Sequence, residues 1–288
     1  MQGNWSRRSV LGALAAAGGG ALIGTPAVRA QTGGNLLERL RSEKVAKVAI
    51  AEQPSYSEML PDGTLTGMGP AVAKAVMDKL GVPKLEGIVV PYGEMIPGLM
   101  AGRWDFVSAC LSITQARCKQ VLYSPPIVFD PVTAAYTDDL KDPPTSMAEI
   151  GERKLQVGII SGGYMVPKMR SLASLEKISI FPDTPALMDG LLAKRIDVAI
   201  GANLGFTTYQ KLRKVAFNLT KPMTDIKPAG SGPAFRYSDT ELFDAFQKEV
   251  LAMKKSGEIA KLNEQFGFLY IRDEYDGVTM AEACQRAI

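Results

Sequence analysis

Arg117 follows a short polar loop, Ser112-Ile113-Thr114-Gln115-Ala116, which leaves an apolar run from Phe106 to Leu111. A guanidinium held just past a buried strand can grip a carboxylate with two parallel hydrogen bonds. Other polar side chains stand at comparable strand exits: Glu52 and Tyr56 after residues 47–51, and Tyr92 after Ile88-Val89-Val90. An acid beside an aromatic face suits a cation. The chain has no histidine, so the usual general base and the commonest zinc ligand are both missing. Its three cysteines, Cys110, Cys118 and Cys284, form no CxxC pair. Nothing near Arg117 joins a nucleophile to a base. These residues read as machinery for holding a small charged molecule, with no metal or cofactor.

Such side chains need a scaffold that gathers them. Residues 47–51 read as a first strand after a loose leader. Pro70 opens a helix whose Val72, Val76 and Leu80 share one face and which Gly81 stops. Residues 88–90 read as a second strand, 94–101 as a helix, and 106–111 as a third strand. The turn between them, Gly102-Arg103-Trp104-Asp105, directs Trp104 to core packing. This β-α-β-α-β order implies a parallel sheet covered on both faces. Ligands of such sheets sit beyond the C-terminal strand ends. That topology brings Glu52, Tyr56, Tyr92, Ser112 and Arg117 to one rim.

The pattern repeats beyond a charged, proline-bearing boundary at 138–144. Strands are expected at 155–160, 178–181 and 196–200, with a helix at 186–192 and Asp197 in a structural role. Ser161-Gly162-Gly163-Tyr164 reads as a helix opening whose free backbone N–H groups suit an anion, with Tyr164 as a lid. Asn203 follows the last of these strands and offers an amide. Residues 132–136 leave the first lobe, with Phe129 close to the cleft, and 232–236 return to it. Helices at 239–254 and 258–266 follow. The expected architecture is α/β and two-lobed, each lobe a parallel-rich sheet flanked by helices, with two crossover strands. Lobe 1 takes residues 31–134 and 231–288; lobe 2 takes 135–230. A hinge of this kind suits closure around a small ligand.

Residues 1–30 stand apart from this scheme. Ser6-Arg7-Arg8-Ser9-Val10-Leu11 is a twin-arginine export pattern, a glycine-alanine run follows, and Val28-Arg29-Ala30 reads as the cleavage site. The whole chain carries 33 Lys+Arg against 30 Asp+Glu, and Arg7, Arg8 and Arg29 all lie in this segment. Removal leaves equal numbers of each sign, so nucleic-acid binding loses its electrostatic motive. No later run reaches the roughly 18 apolar residues that span a bilayer. Cys110, in an apolar strand, reads as a buried free thiol, although Cys118 is near enough in sequence to pair with it. Export in the folded state fits a protein that needs no disulfide.

Several longer motifs carry a family resemblance. They include Gly63-Thr64-Leu65-Thr66-Gly67, Leu99-Met100-Ala101-Gly102-Arg103-Trp104-Asp105, Ile113-Thr114-Gln115-Ala116-Arg117 and Tyr123-Ser124-Pro125-Pro126. Phe235-Arg236-Tyr237-Ser238-Asp239 and Ser256-Gly257-Glu258-Ile259 extend the set. Over the whole mature chain the sequence resembles the periplasmic solute-binding proteins of ABC importers, in the polar amino-acid and opine group. Glu52-Gln53-Pro54, Tyr92-Gly93 and Arg117-Cys118-Lys119-Gln120-Val121 look most like the ectoine and hydroxyectoine binders.

The resemblance implies a type II periplasmic-binding-protein fold, a monomer, and delivery of a small zwitterion to an inner-membrane permease. It assigns Arg117 to the ligand carboxylate and the Thr114 backbone N–H to assisting it. It sets Glu52 against the ligand cation and makes Tyr92 one wall of an aromatic cage. Ser112 and Ser55 stand where two further cage aromatics are expected, with Tyr56 as the compensating ring. Amino-acid binders of this group carry Thr or Ser where Gly163 stands and an aspartate near Ala202. Their absence disfavours an ordinary α-amino acid, since an unpaired buried ammonium is costly. Two other readings of the scaffold remain. A dehydratase-like enzyme would use Glu52 as a base but needs a second acid across the cleft. A sensory binding module would never meet a permease.

Overall fold

Asn35 Oδ1 accepts a hydrogen bond from the Leu37 N–H (2.9 Å) and caps helix α1 (Leu36–Glu43). Leu37 and Leu40 of that helix are buried. The stretch expected to be a loose leader is therefore a docked helix. The structure, a computed structural model, describes residues 35–172, 177–268 and 277–286, and the expected export segment lies outside them.

In chain order there follow β1 (Val45–Ile50), a hairpin of β2 (Glu58–Met59) and β3 (Leu65–Thr66), α2 (Met68–Lys79), β4 (Lys84–Val89), α3 (Tyr92–Met100) and β5 (Phe106–Ser112). The single turn α4 (Gln115–Cys118) and the short strands β6 (Leu122–Tyr123) and β7 (Val128–Phe129) come next. β1 pairs in parallel with β4 on one side and β5 on the other. Both its faces are covered, so Val48, Ala49 and Ile50 are all buried and the usual alternation vanishes. Val48 and Ile50 join an apolar cluster with α2, while Ala49 packs with Met95, Leu99 and Trp104. Trp104 belongs to that core as expected: its Nε1–H donates to Met95 O (3.1 Å), and its ring fills the space a side chain at Gly98 would need.

The second run comprises β8 (Val132–Tyr136), α5 (Met147–Glu152), β9 (Val157–Ile160), α6 (Val166–Ser171), β10 (Ile178–Phe181), α7 (Thr184–Leu192), β11 (Val198–Ala202), α8 (Asn203–Arg213) and β12 (Asn218–Leu219). β13 (Gly230–Phe235), α9 (Thr240–Ser256), α10 (Glu258–Phe266) and α11 (Met280–Arg286) close the described chain. Strand order is β4-β1-β5-β13-β6 in one sheet, with β7 also on β13, and β10-β9-β11-β8-β12 in the other. Each begins with two parallel pairings and ends with two antiparallel ones.

Two expectations need correction. β8 lies wholly in the second sheet, paired with β11 and β12, so the chain passes between sheets at Asp130–Pro131 and not at residue 134. β13 belongs to the first sheet, paired with β5, β6 and β7. The cysteines also differ. Cys110 is buried and free, but Cys118 is bonded to Cys284, 166 positions away. Local spacing gives no sign of such a pairing.

Candidate functional site

The C-terminal ends of β1 and β5 face those of β9 and β11 across a cavity of about 90 Å³. The first sheet's side supplies Gln53, Tyr56, Tyr92, Cys110, Ser112 and Arg117. The second supplies Ile159, Ile160, Tyr164, Met165 and Ile200, together with backbone at Gly162, Gly163, Gly201 and Ala202. Asp130, Ala229 and Ser231, at the two passages between sheets, complete the lining.

Arg117 is held by main-chain carbonyls from both halves. Its Nη1–H donates to Ser112 O (2.8 Å) and its Nη2–H to Gly162 O (2.7 Å). Thr114 Oγ1 caps the turn by accepting the Arg117 N–H (3.2 Å). Among the described residues no carboxylate lies within 4.0 Å of the guanidinium, so its charge faces the cavity without a counter-ion. Gly162 makes the close approach possible. It takes φ +71, and a Cβ there would lie 2.3 Å from Gly93 N. Only glycine suits both the left-handed backbone and the contact.

The opposing charge is Asp130. Its Oδ2 accepts hydrogen bonds from the Tyr56 hydroxyl and from the Leu204 N–H (3.0 Å). Both bonds fall on one oxygen. Burial pushes this carboxyl up from the ordinary range to about 6, against the pull of those two donors. Burial also raises the hydroxyl pKa of Tyr56, with Asp130 adding to the rise, and that of Tyr92. The phenols are thus neutral hydrogen-bonding walls. The Tyr92 hydroxyl sits 2.7 Å from Gln53 Oε1 and 3.1 Å from Ala109 O. The register between β5 and β13 shifts at Gly232/Ala234, and Cys110 takes φ +49. This irregularity lets the end of β5 turn Cys110 and Ser112 toward the cavity. Burial pushes the Cys110 thiol up to about 12, which leaves it an inert apolar lining group.

The cavity brings together seven of the expected residues: Tyr56, Tyr92, Ser112, Arg117, Gly162, Gly163 and Tyr164. Four others lie elsewhere. Glu52 is exposed, and its Oε1 accepts from the Met59 N–H (3.4 Å). The chain curls tightly after β1, with Gln53 N–H donating to Ala51 O and Ser57 O, so Gln53 turns inward and Glu52 outward. Thr114 lines an adjoining groove that shares Arg117, Gly162, Gly163 and Tyr164 with the cavity. Asn203 heads α8, where its N–H donates to Pro131 O (2.9 Å). Phe129 is buried against Gly230, outside the cavity. At the expected anion cradle the Gly163 N–H donates to Ile160 O, and the helix opens only at Val166. Asp130 was missed. Its signal is an acid between Phe129 and Pro131 inside an otherwise apolar run, one position from the residue that drew attention.

Comparison with known proteins fits this geometry. A family model described as bacterial extracellular solute-binding proteins, family 3, matches residues 46–269. A probable amino-acid ABC transporter periplasmic-binding protein of Sinorhizobium fredii is 26% identical over 246 residues, covering 81% of this chain and 80% of the relative. The L-arginine-binding protein of Pseudomonas aeruginosa is 25% identical over 244 residues, covering 80% and 90%. Among solved structures, EhuB in complex with hydroxyectoine superposes with a TM-score of 0.81 at 30% identity, covering 87% of this chain and 98% of that one.

Proposed function

The chain belongs to the bacterial extracellular solute-binding proteins of family 3, and from that premise we propose that it captures a compact zwitterion of the ectoine type. The type II periplasmic-binding-protein fold and the role of solute-binding protein for an amino-acid-type ABC transporter come with the family and its relatives. The finer reading rests on one observation: a guanidinium and a carboxylate face the same small cavity without pairing with each other. Arg117 takes the guest's carboxylate, with its remaining N–H donors presented as a fork. Asp130 takes the cationic end through the oxygen its two internal donors leave open, beside the rings of Tyr56 and Tyr92. The hydroxyectoine complex of the structural relative supports this choice of guest. The arginine of the sequence relative fits less well. The far wall of Ile159, Ile160, Met165 and Ile200 offers no second acid for its guanidinium.

Binding needs no bond made or broken. Two halves close over the guest, water leaves, and the permease receives the loaded protein after export to the periplasm. A thermal-shift screen of ectoine, hydroxyectoine, proline, glycine betaine and the common amino acids tests the reading. At 100 times Kd a true ligand adds ~2.7 kcal/mol, which for a chain of this size is a rise of roughly 5–10 °C. No shift from any compact zwitterion at millimolar concentration overturns it. One observation favours an enzymatic reading, namely an Asp130 carboxyl that titrates near 6, in the range useful for proton transfer. Loss of the absorbance of added prephenate or arogenate dienes would establish it.

A further inference from the structure

We propose that the Cys118–Cys284 disulfide is a positioning device for the binding site, holding the turn that presents Arg117. The inference rests on the reading of Arg117 as the guest's anchor. α4 is four residues long and fully buries none of them; of its residues, Cys118 packs on the neighbouring apolar cluster. One helical turn is unstable in isolation. Its other support is hydrogen bonding: Thr114 Oγ1 caps the Arg117 N–H, Cys118 N–H donates to Thr114 O (2.8 Å), Gln120 and Val121 N–H donate to Arg117 O, the guanidinium reaches Ser112 O and Gly162 O, and the Tyr237 hydroxyl donates to Cys118 O. The covalent tie runs from the residue next to Arg117 to α11.

α11 is a firm anchor for that tie. Thr279 and Glu282 form a capping box: Thr279 N–H donates to Glu282 Oε2 (2.8 Å) and Glu282 N–H to Thr279 Oγ1 (3.2 Å). Val278 and Ala283 are buried in the cluster that also holds Ile113 and Val121, the apolar residues on either side of α4. Met280 and Cys284 pack on the same cluster. The C-terminal segment thus sits beneath the anchor turn, and the sulfur bridge fastens the turn to it. With the bridge intact, the guanidinium meets its guest from a fixed base. Without it, ordering the turn becomes part of the cost of binding.

The test uses the full oxidised chain, the same chain reduced by a phosphine, and a Cys118→Ser/Cys284→Ser variant. In the reduction the phosphine gives two electrons, water supplies the oxygen of the phosphine oxide, and both sulfurs leave as thiols. Hydrogen exchange in the absence of any guest is the first reading. Amides of 115–121 should exchange about tenfold faster once the bridge is gone, while those of β9 and β11 stay unchanged. Calorimetry with hydroxyectoine is the second, with Kd rising about tenfold in both unbridged forms. Unchanged exchange at 115–121, or a rise spread evenly through the chain, overturns the proposal; the even rise would make the bond a fold-wide staple. So does an unchanged Kd where hydroxyectoine binds. If hydroxyectoine binds neither form, the ligand reading fails and the exchange arm still decides the role of the bridge.

Discussion

Gly98-Leu99-Met100-Ala101-Gly102-Arg103-Trp104-Asp105 in the first half and Gly190-Leu191-Leu192-Ala193-Lys194-Arg195-Ile196-Asp197 in the second run through the same turn. Each leading glycine lies under an aromatic ring, Trp104 or Phe181. Each helix ends with the same bonds, Gly102 N–H to Leu99 O and Arg103 N–H to Gly98 O, matched by Lys194 to Leu191 and Arg195 to Gly190. Each aspartate then clasps a residue in or just before the neighbouring parallel strand, β1 or β9. Asp105 accepts the Lys47 N–H and donates its own N–H back to Lys47 O; Asp197 does the same with Gln156. The scaffolds are alike, yet the rims differ. The first half brings charge and hydroxyls to the cavity, whereas the second brings aliphatic side chains, Tyr164 and bare backbone. On the proposed reading, polar recognition is concentrated on one jaw, and the other supplies fit.

The sharpest way to break that contrast is Arg117→Ala. It removes the sole cation lining the cavity among the described residues. The expected loss is about 3–5 kcal/mol of binding, the scale for stripping one partner from a desolvated charge pair. Calorimetry against hydroxyectoine reads it, and an affinity within a factor of two would return recognition to the second jaw.

Asp130→Asn comes next and acts on stability and binding in opposite directions. A carboxyl raised from 3.8 to about 6 binds its proton more tightly in the folded state. Stability attributable to it is therefore greatest below pH 4 and falls as pH rises to 6, by about 2–3 kcal/mol. The guest's cation needs the ionised form, so Kd should weaken about tenfold from pH 7.5 to pH 5. Asn at this position should stabilise the empty protein at pH 7.5, flatten both pH profiles and weaken binding by about 2 kcal/mol. Glu52→Gln is the contrast, with no change in affinity. A strong effect at Glu52 and none at Asp130 would reverse the assignment.

That pair also marks what was legible. Strand and helix order could be read because apolar runs, Pro70 and the glycine stops are local signals. Arg117 and Tyr92 could be read because strand exits in such sheets converge. Glu52 lies outside the cavity because of a turn: after β1 the chain curls through Gln53↔Ser57, and one position decides which side chain enters. Asp130 and Cys284 depend on contacts between distant segments, and periodicity carries no information on those.

Gly162→Ala probes the jaw that supplies fit. The added methyl costs about 1 kcal/mol wherever the left-handed φ is kept, and its clash with the Gly93 backbone adds about 1–3 kcal/mol on closing the jaws. Binding should weaken by more than the stability of the empty protein falls. An equal loss in both would show that the contact belongs to folding and not to closure.

The smallest effect tests whether the two scaffolds are the same device. Gly102 and Lys194 occupy corresponding left-handed positions, φ +70 and φ +58, and nothing lies within 4 Å of where a Cβ at Gly102 would stand. Side-chain bulk is therefore irrelevant at Gly102, and only the backbone preference is changed by substitution. Gly102→Lys should destabilise by about 1 kcal/mol. Lys194→Gly should stabilise by a similar amount, reduced slightly by loss of the exposed Lys194–Asp139 pair. Denaturant midpoints of the two variants read both shifts. Equal and opposite changes would mean that the turns answer to local backbone energy alone. A clear asymmetry would mean that the sheets load them differently, and the likeness would then end at hydrogen-bond pattern.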